Sequence, residues 1–174
     1  MEAPRAVWVA VGSSIEPERS IAAALEALRG PLGLEALSTF YRTPALDRPG
    51  DPDFYNGAVL GRSRLEPRAI KFGLLRPLEE RLGRARGPDR YAPRTIDLDL
   101  VLCGELVVEE QGLALPDPEI RMRAFLAVAL LDLTPDLVMP DTGGRLAEEI
   151  PASWRGQLAA EEEFTRRLRE RVMA

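Results

Sequence analysis

The chain has 174 residues, with 23 Lys and Arg against 28 Asp and Glu, a formal net charge of −5, one cysteine and no histidine. Without histidine there is no Ser-His-Asp triad, no Cys-His dyad and no imidazole base, and nearly every zinc site is excluded. Any metal must be held by oxygen, which points to Mg²⁺ or Mn²⁺, and the net acidity argues against a general nucleic-acid binder.

The length suits one domain, 1–174, that buries about 70% of its unfolded surface. Its core is expected over about 6–140, with peripheral helices over 141–174. Cys103 leaves no partner for an internal disulfide, and Ala6–Val11 follows an acidic Glu2 and is too short for a signal peptide. Ala124–Leu131, the longest apolar run, falls far short of a membrane span. These features predict a cytoplasmic protein without a membrane partner, and nothing in them demands more than a monomer.

In chain order, Val-rich Ala6–Val11 reads as a buried strand ending at Gly12-Ser13-Ser14. Ile21, Leu25 and Leu28 mark a helix stopped by Gly30-Pro31. Leu34–Thr43 and Phe54–Gly61 are strand candidates joined by the Pro/Gly/Asp-rich stretch Pro44–Asp53, long enough to be a functional loop. Pro67 to Leu82 reads as a second helix ending at Gly83 and leading into an Arg-rich loop. A strand follows over Thr95–Cys103, then a short one over Leu106–Glu109, and Asp117-Pro118 opens a third helix to about Leu133. Leu146–Ile150 and Glu161–Val172 look helical. The order strand-helix-strand-strand-helix-strand predicts a ferredoxin-like βαββαβ α+β fold, an antiparallel sheet with flanking helices.

Two features carry chemistry. In Thr95-Ile96-Asp97-Leu98-Asp99-Leu100-Val101-Leu102 the two carboxylates are two residues apart on a strand, so they share a face roughly 7 Å apart at the backbone, while Ile96, Leu98, Leu100 and Leu102 face the core. Such a pair is costly to desolvate unless a cation lies between, and it suits two divalent ions about 3.5–4 Å apart, as in phosphoryl-transfer sites. Arg81, Arg84, Arg86, Arg90 and Arg94 crowd one short segment, enough to neutralise a nucleoside triphosphate. Lys71 is the only lysine.

Four ordered blocks, Pro93–Asp99, Phe40–Pro44, Pro52–Asn56 and Arg121–Phe125, make the chain resemble the 6-hydroxymethyl-7,8-dihydropterin pyrophosphokinase family of folate biosynthesis. The resemblance implies transfer of the β,γ-diphosphate of ATP to the hydroxymethyl oxygen of the pterin, with AMP as co-product. It implies two Mg²⁺ ions on Asp97 and Asp99, ATP as co-substrate, and catalytic roles for Arg84 and Arg94. It places Thr43, Leu46, Phe54, Asn56 and Phe125 at the pterin, with the two rings as a sandwich, and Glu79, Arg86, Tyr91, Leu100 and Arg123 at the nucleotide. The chain departs from the family in carrying Asp117 for a histidine, Ser14 for an asparagine, Tyr91 for a tryptophan, and Gly112 and Ala114 for side chains that reach ATP. The local sequence makes Asp117 a helix cap. The competing reading is a ferredoxin-like module binding RNA or a small ligand without catalysis. Two acids on the strand where an RNA reader needs stacking aromatics and basic charge oppose the RNA form.

Overall fold

β1 (Arg5–Ser13) is an interior strand of the sheet, flanked by β4 (Phe54–Ser63) and by β5 (Asp97–Cys103) at the edge, both antiparallel to it. The computed structural model describes residues 2–45, 49–83 and 94–174. α1 (Pro17–Arg29) follows β1; β2 (Ala36–Leu37) and β3 (Tyr41–Thr43) both pair with β4. The second helix begins as α2 (Pro67–Ile70), widens into a π turn over Lys71–Leu75, and ends as α3 (Arg76–Arg81). The sheet order is β5-β1-β4-β3, extended at its far edge by β8 (Ala159–Ala160). This antiparallel arrangement is the ferredoxin-like α+β fold.

Alternation along β1 serves two cores. Val7, Val9 and Val11 pack with Ile21, Leu25 and Leu28 of α1 and with Ile70, Leu75 and Leu78. Trp8 faces the other way, against α4 (Ala124–Leu133), whose Leu126, Ala127, Val128, Ala129 and Leu130 are all buried. A helix apolar on every side is stable only when covered on every side, and the segment around Leu137, Met139 and Leu146 supplies that cover.

The structure departs from the sequence reading in several places. Trp8 pairs with Leu102 but Val9 with Leu100, so Val101 is an extra residue in β5. The bulge reverses the facing of the residues beyond it, and Leu102 enters the α4 core instead of joining Leu98 and Leu100 on the α1 side. The expected strand 34–43 is interrupted at Ser38, whose Oγ accepts the Ala58 N–H at 2.9 Å. Glu110 and Leu113 close an unforeseen hairpin of β6 (Val108–Glu110) and β7 (Leu113–Leu115), turned at Gly112 with φ +77°. The helix expected from Asp117 to Leu133 is a 3₁₀ turn over Pro118–Arg121 followed by α4, because Arg123 is extended at φ −122°, ψ 118°.

The C-terminal segment is not peripheral. After the short α5 (Leu146–Glu149), β8 pairs with β3, and α6 (Glu162–Val172) buries Phe164, Leu168 and Val172 in the core beneath α1. Their i, i+4, i+8 spacing is one apolar stripe, and Phe164 sets its ring edge-on to Phe40 and Tyr55.

Candidate active site

On the α4 side of the sheet a cavity of about 760 Å³ opens above the N-terminal end of β5. Asp97 and Asp99 point into it, opposite Gly12 and Ala10 of β1, whose small size leaves the room. Arg94 Nη1 donates to Asp97 Oδ2 at 2.9 Å. Arg94 is itself fixed: its N–H donates to Ser14 Oγ at 3.0 Å, and its carbonyl accepts the N–H groups of Ser14 and Ile15 at 3.0 and 3.2 Å. The turn after β1 therefore aims a guanidinium at the aspartate strand.

Burial, and then the charges of Asp97, Asp117, Glu79 and Glu119, hold the Asp99 carboxyl well above the ordinary carboxylate range. Such crowding of oxygens with no nitrogen or sulfur donor is the setting of a hard divalent cation. Among the described residues no group of three or more potential side-chain ligands converges on one point. Asp97 and Asp99 thus fit the usual manner of Mg²⁺ binding, in which one or two carboxylates are completed by water and substrate phosphate oxygens.

Glu79, fully buried on α3, accepts the Leu98 N–H at 2.9 Å and so ties the helix to the edge strand. Asp117 also borders the cavity. Its Oδ1 accepts the Glu119 N–H at 2.8 Å, capping the 3₁₀ turn as the sequence predicts, and its own N–H donates to Val101 O at 3.0 Å. Burial, helped by the Glu119 charge, holds the Asp117 carboxyl above the ordinary carboxylate range against the downward pull of the Glu119 N–H and of the Lys71 and Arg123 charges.

The opposite end of the cavity is made by β3, β4 and α4. Asn56 Nδ2 donates to Thr43 Oγ1 at 2.8 Å, and Phe54, Thr43, Asn56 and Phe125 line one region. Gly12 makes this possible, since a Cβ there would lie 2.3 Å from Asn56 Oδ1.

Of the residues singled out from sequence, Arg94, Asp97, Asp99, Thr43, Phe54, Asn56, Phe125, Glu79 and Arg123 all border this one cavity. Leu100 does not; it is buried in the core on the α1 face. Leu46, Arg84, Arg86 and Tyr91 lie outside the described residues. Sequence reasoning missed Gly12, Lys71, Arg76, Met122 and Leu158, which also border the cavity. A glycine inside a strand is a known sign of close approach and could have flagged Gly12.

The model of the 7,8-dihydro-6-hydroxymethylpterin-pyrophosphokinase (HPPK) family matches residues 8–135. The chain belongs to the HPPK family. It is 38% identical over 150 residues to the 2-amino-4-hydroxy-6-hydroxymethyldihydropteridine pyrophosphokinase of Pseudomonas aeruginosa, covering 84% of this chain and 90% of that one. It is 36% identical over 124 residues to the like-named protein of Synechocystis sp., covering 71% of this chain but 62% of the relative. The fold is similar to that of a Plasmodium falciparum HPPK-DHPS solved with pteroate, at a TM-score of 0.67 and 10% identity over 97% of this chain and 46% of that one. The HPPK match includes most of β1, all of β2 to β7, α1 to α4 and every cavity residue except Leu158, and leaves out β8. No described helix is long and apolar enough to cross a membrane.

Proposed function

We propose that this chain transfers the diphosphate of ATP to the hydroxymethyl group of 6-hydroxymethyl-7,8-dihydropterin, giving the pterin diphosphate and AMP, as a step of folate biosynthesis. The observation that carries this reading is that a paired-carboxylate end and an aromatic, amide-bearing end share one cavity. A flat bicyclic ring fits between Phe54 and Phe125 by offset stacking. Asn56, held by Thr43, offers both a donor and an acceptor to an amide-like edge.

Asp97 and Asp99 would hold two Mg²⁺ ions, which supply charge neutralisation for the triphosphate when bound. Arg94 and Arg123 add fixed positive charge on the phosphate side, and Arg84 and Arg86 are assigned there by family likeness. Asp97, beside Arg94, orients the hydroxymethyl group for in-line attack. The hydroxymethyl oxygen bonds to the β-phosphorus as the bond from that phosphorus to the α,β-bridging oxygen breaks; AMP leaves with the electron pair, and the hydroxyl proton passes to solvent water. Glu79 and Asp117 position the strand and turn around this centre. Tyr91 completes the proposed nucleotide contacts and Leu46 the pterin contacts. We take the chain to act as one domain, as a monomer in the cytoplasm. Purified protein with ATP, Mg²⁺ and the pterin should form AMP only when the pterin is present. AMP formation at the same rate without pterin, or none with it, refutes the assignment.

A further inference from the structure

Five carboxylates border the cavity, Glu79, Asp97, Asp99, Asp117 and Glu119, against four cations, Lys71, Arg76, Arg94 and Arg123. Arg94 pairs with Asp97, and Arg123 lies 3.4 Å from Glu119. Lys71 and Arg76 form no ion pair among the described residues. Neither has a carboxylate within ion-pair distance among the described residues, so both are placed to receive an anion from outside the protein.

Local structure explains how they come together. Five residues apart, they would be rotated about 140° from each other on an α-helix of 3.6 residues per turn. Here the Arg76 N–H donates to the Lys71 carbonyl, the i→i+5 bond of a π turn, which brings both toward one side. Pro77, next in sequence, cannot donate and its ring crowds the carbonyl of Gly73, so a widened turn accommodates it where a regular helix would not. Phe72 serves as a common platform: the Arg76 guanidinium sits 4.7 Å and Lys71 Nζ 5.6 Å from its ring centroid. Lys71 Nζ also donates to the Gly112 carbonyl at 2.5 Å, and the bare Gly112 Cα lets Phe72 pack against it.

We propose that Lys71 and Arg76, joined by the π turn, form a cationic wall that binds the polyphosphate of the nucleotide, and that Lys71 offsets the repulsion Asp117 would exert on that ligand. The inference rests on the proposed function, deepening its nucleotide site. A carboxylate at position 117 is then faced by an ammonium that is held at the Gly112 carbonyl and borders the same cavity.

The probe is the α,β-methylene analogue of ATP with Mg²⁺, which cannot undergo transfer, titrated calorimetrically into the apo protein, with AMP as the short-phosphate control. Lys71→Met and Arg76→Met should each weaken analogue binding about tenfold, as expected for a lost charge-assisted contact, while changing AMP affinity less than about twofold. Adding Asp117→Asn to Lys71→Met should recover most of that loss, and Lys71→Arg should retain binding. Wild-type affinity in variants of unchanged melting temperature overturns the proposal, as does equal loss for AMP and the analogue, or failure of Asp117→Asn to rescue. Arg76 is exposed, so its variant folds and tests the wall even if Lys71→Met does not. Lys71-dependent binding by a protein that makes no pterin-dependent AMP would refute the proposed function and leave this inference standing; the reverse pattern would refute the inference alone.

Discussion

The Glu79 carboxylate accepts the backbone N–H of Leu98, at 2.9 Å, from a side chain that is 1% exposed. Leu98 lies between Asp97 and Asp99 on an edge strand, so this bond fixes the segment that presents both carboxylates. Glu79→Ala leaves the N–H buried without its acceptor and should cost about 1–3 kcal/mol. Glu79→Gln keeps an acceptor and should cost less. Urea midpoints at constant m-value measure both, and equal, negligible losses would show that water replaces the carboxylate.

Asp97→Asn and Asp99→Asn should each reduce pterin-dependent AMP formation by about 10²–10⁴-fold. Their effects on the apo protein should differ. Asp99 is half-buried among like charges, so neutralising it should raise the melting temperature. Asp97 also holds Arg94, so its neutralisation should give little or no gain. Near-normal Mg²⁺-dependent turnover in either variant contradicts the two-metal reading.

Gly12→Ala places a methyl group 2.3 Å from Asn56 Oδ1 and must displace the amide from Thr43. Overpacking of this kind costs about 1–3 kcal/mol. The pterin KM should rise well above any rise in the ATP KM, and parallel increases would mean that Asn56 does not recognise the pterin.

Asp117→Ala removes a cap and should cost about 1 kcal/mol, with kcat/KM changed less than roughly tenfold. A hundredfold kinetic defect at unchanged thermal stability would make Asp117 part of the chemistry.

Arg121 donates to Asp141 at 2.9 Å and to Glu149 at 2.7 Å, anchoring the segment that leads into Arg123 and Phe125. The Arg121 bonds hold both carboxyls below their ordinary values. A depressed native pKa contributes stability that is present above the unfolded-state value and is lost as pH falls through the lower native value. Arg121→Gln should therefore destabilise at pH 7, and the gap to wild type should close as pH drops below the ordinary carboxylate range. A gap independent of pH would exclude the ion pairs as its source.

The sequence by itself determined the succession of the main strands and helices along the chain, the shared face of Asp97 and Asp99, and the cap at Asp117, because each depends on local periodicity or on neighbours within a few residues. It also marked Phe54, Asn56 and Phe125 through ordered motif blocks, without showing how segments 70 residues apart converge. Tertiary structure alone decided the rest. The bulge at Val101 sends Leu102 to the opposite core, because register is set by pairing with β1 and not by alternation within β5. The C-terminal helix joins the core, because its Phe164 stripe finds cover only beneath α1. Gly12 matters through Asn56 on the adjacent strand, and Lys71 meets Arg76 through a π turn that a 3.6-residue periodicity does not reveal. Those relations arise from contacts between elements, which no window along the chain contains.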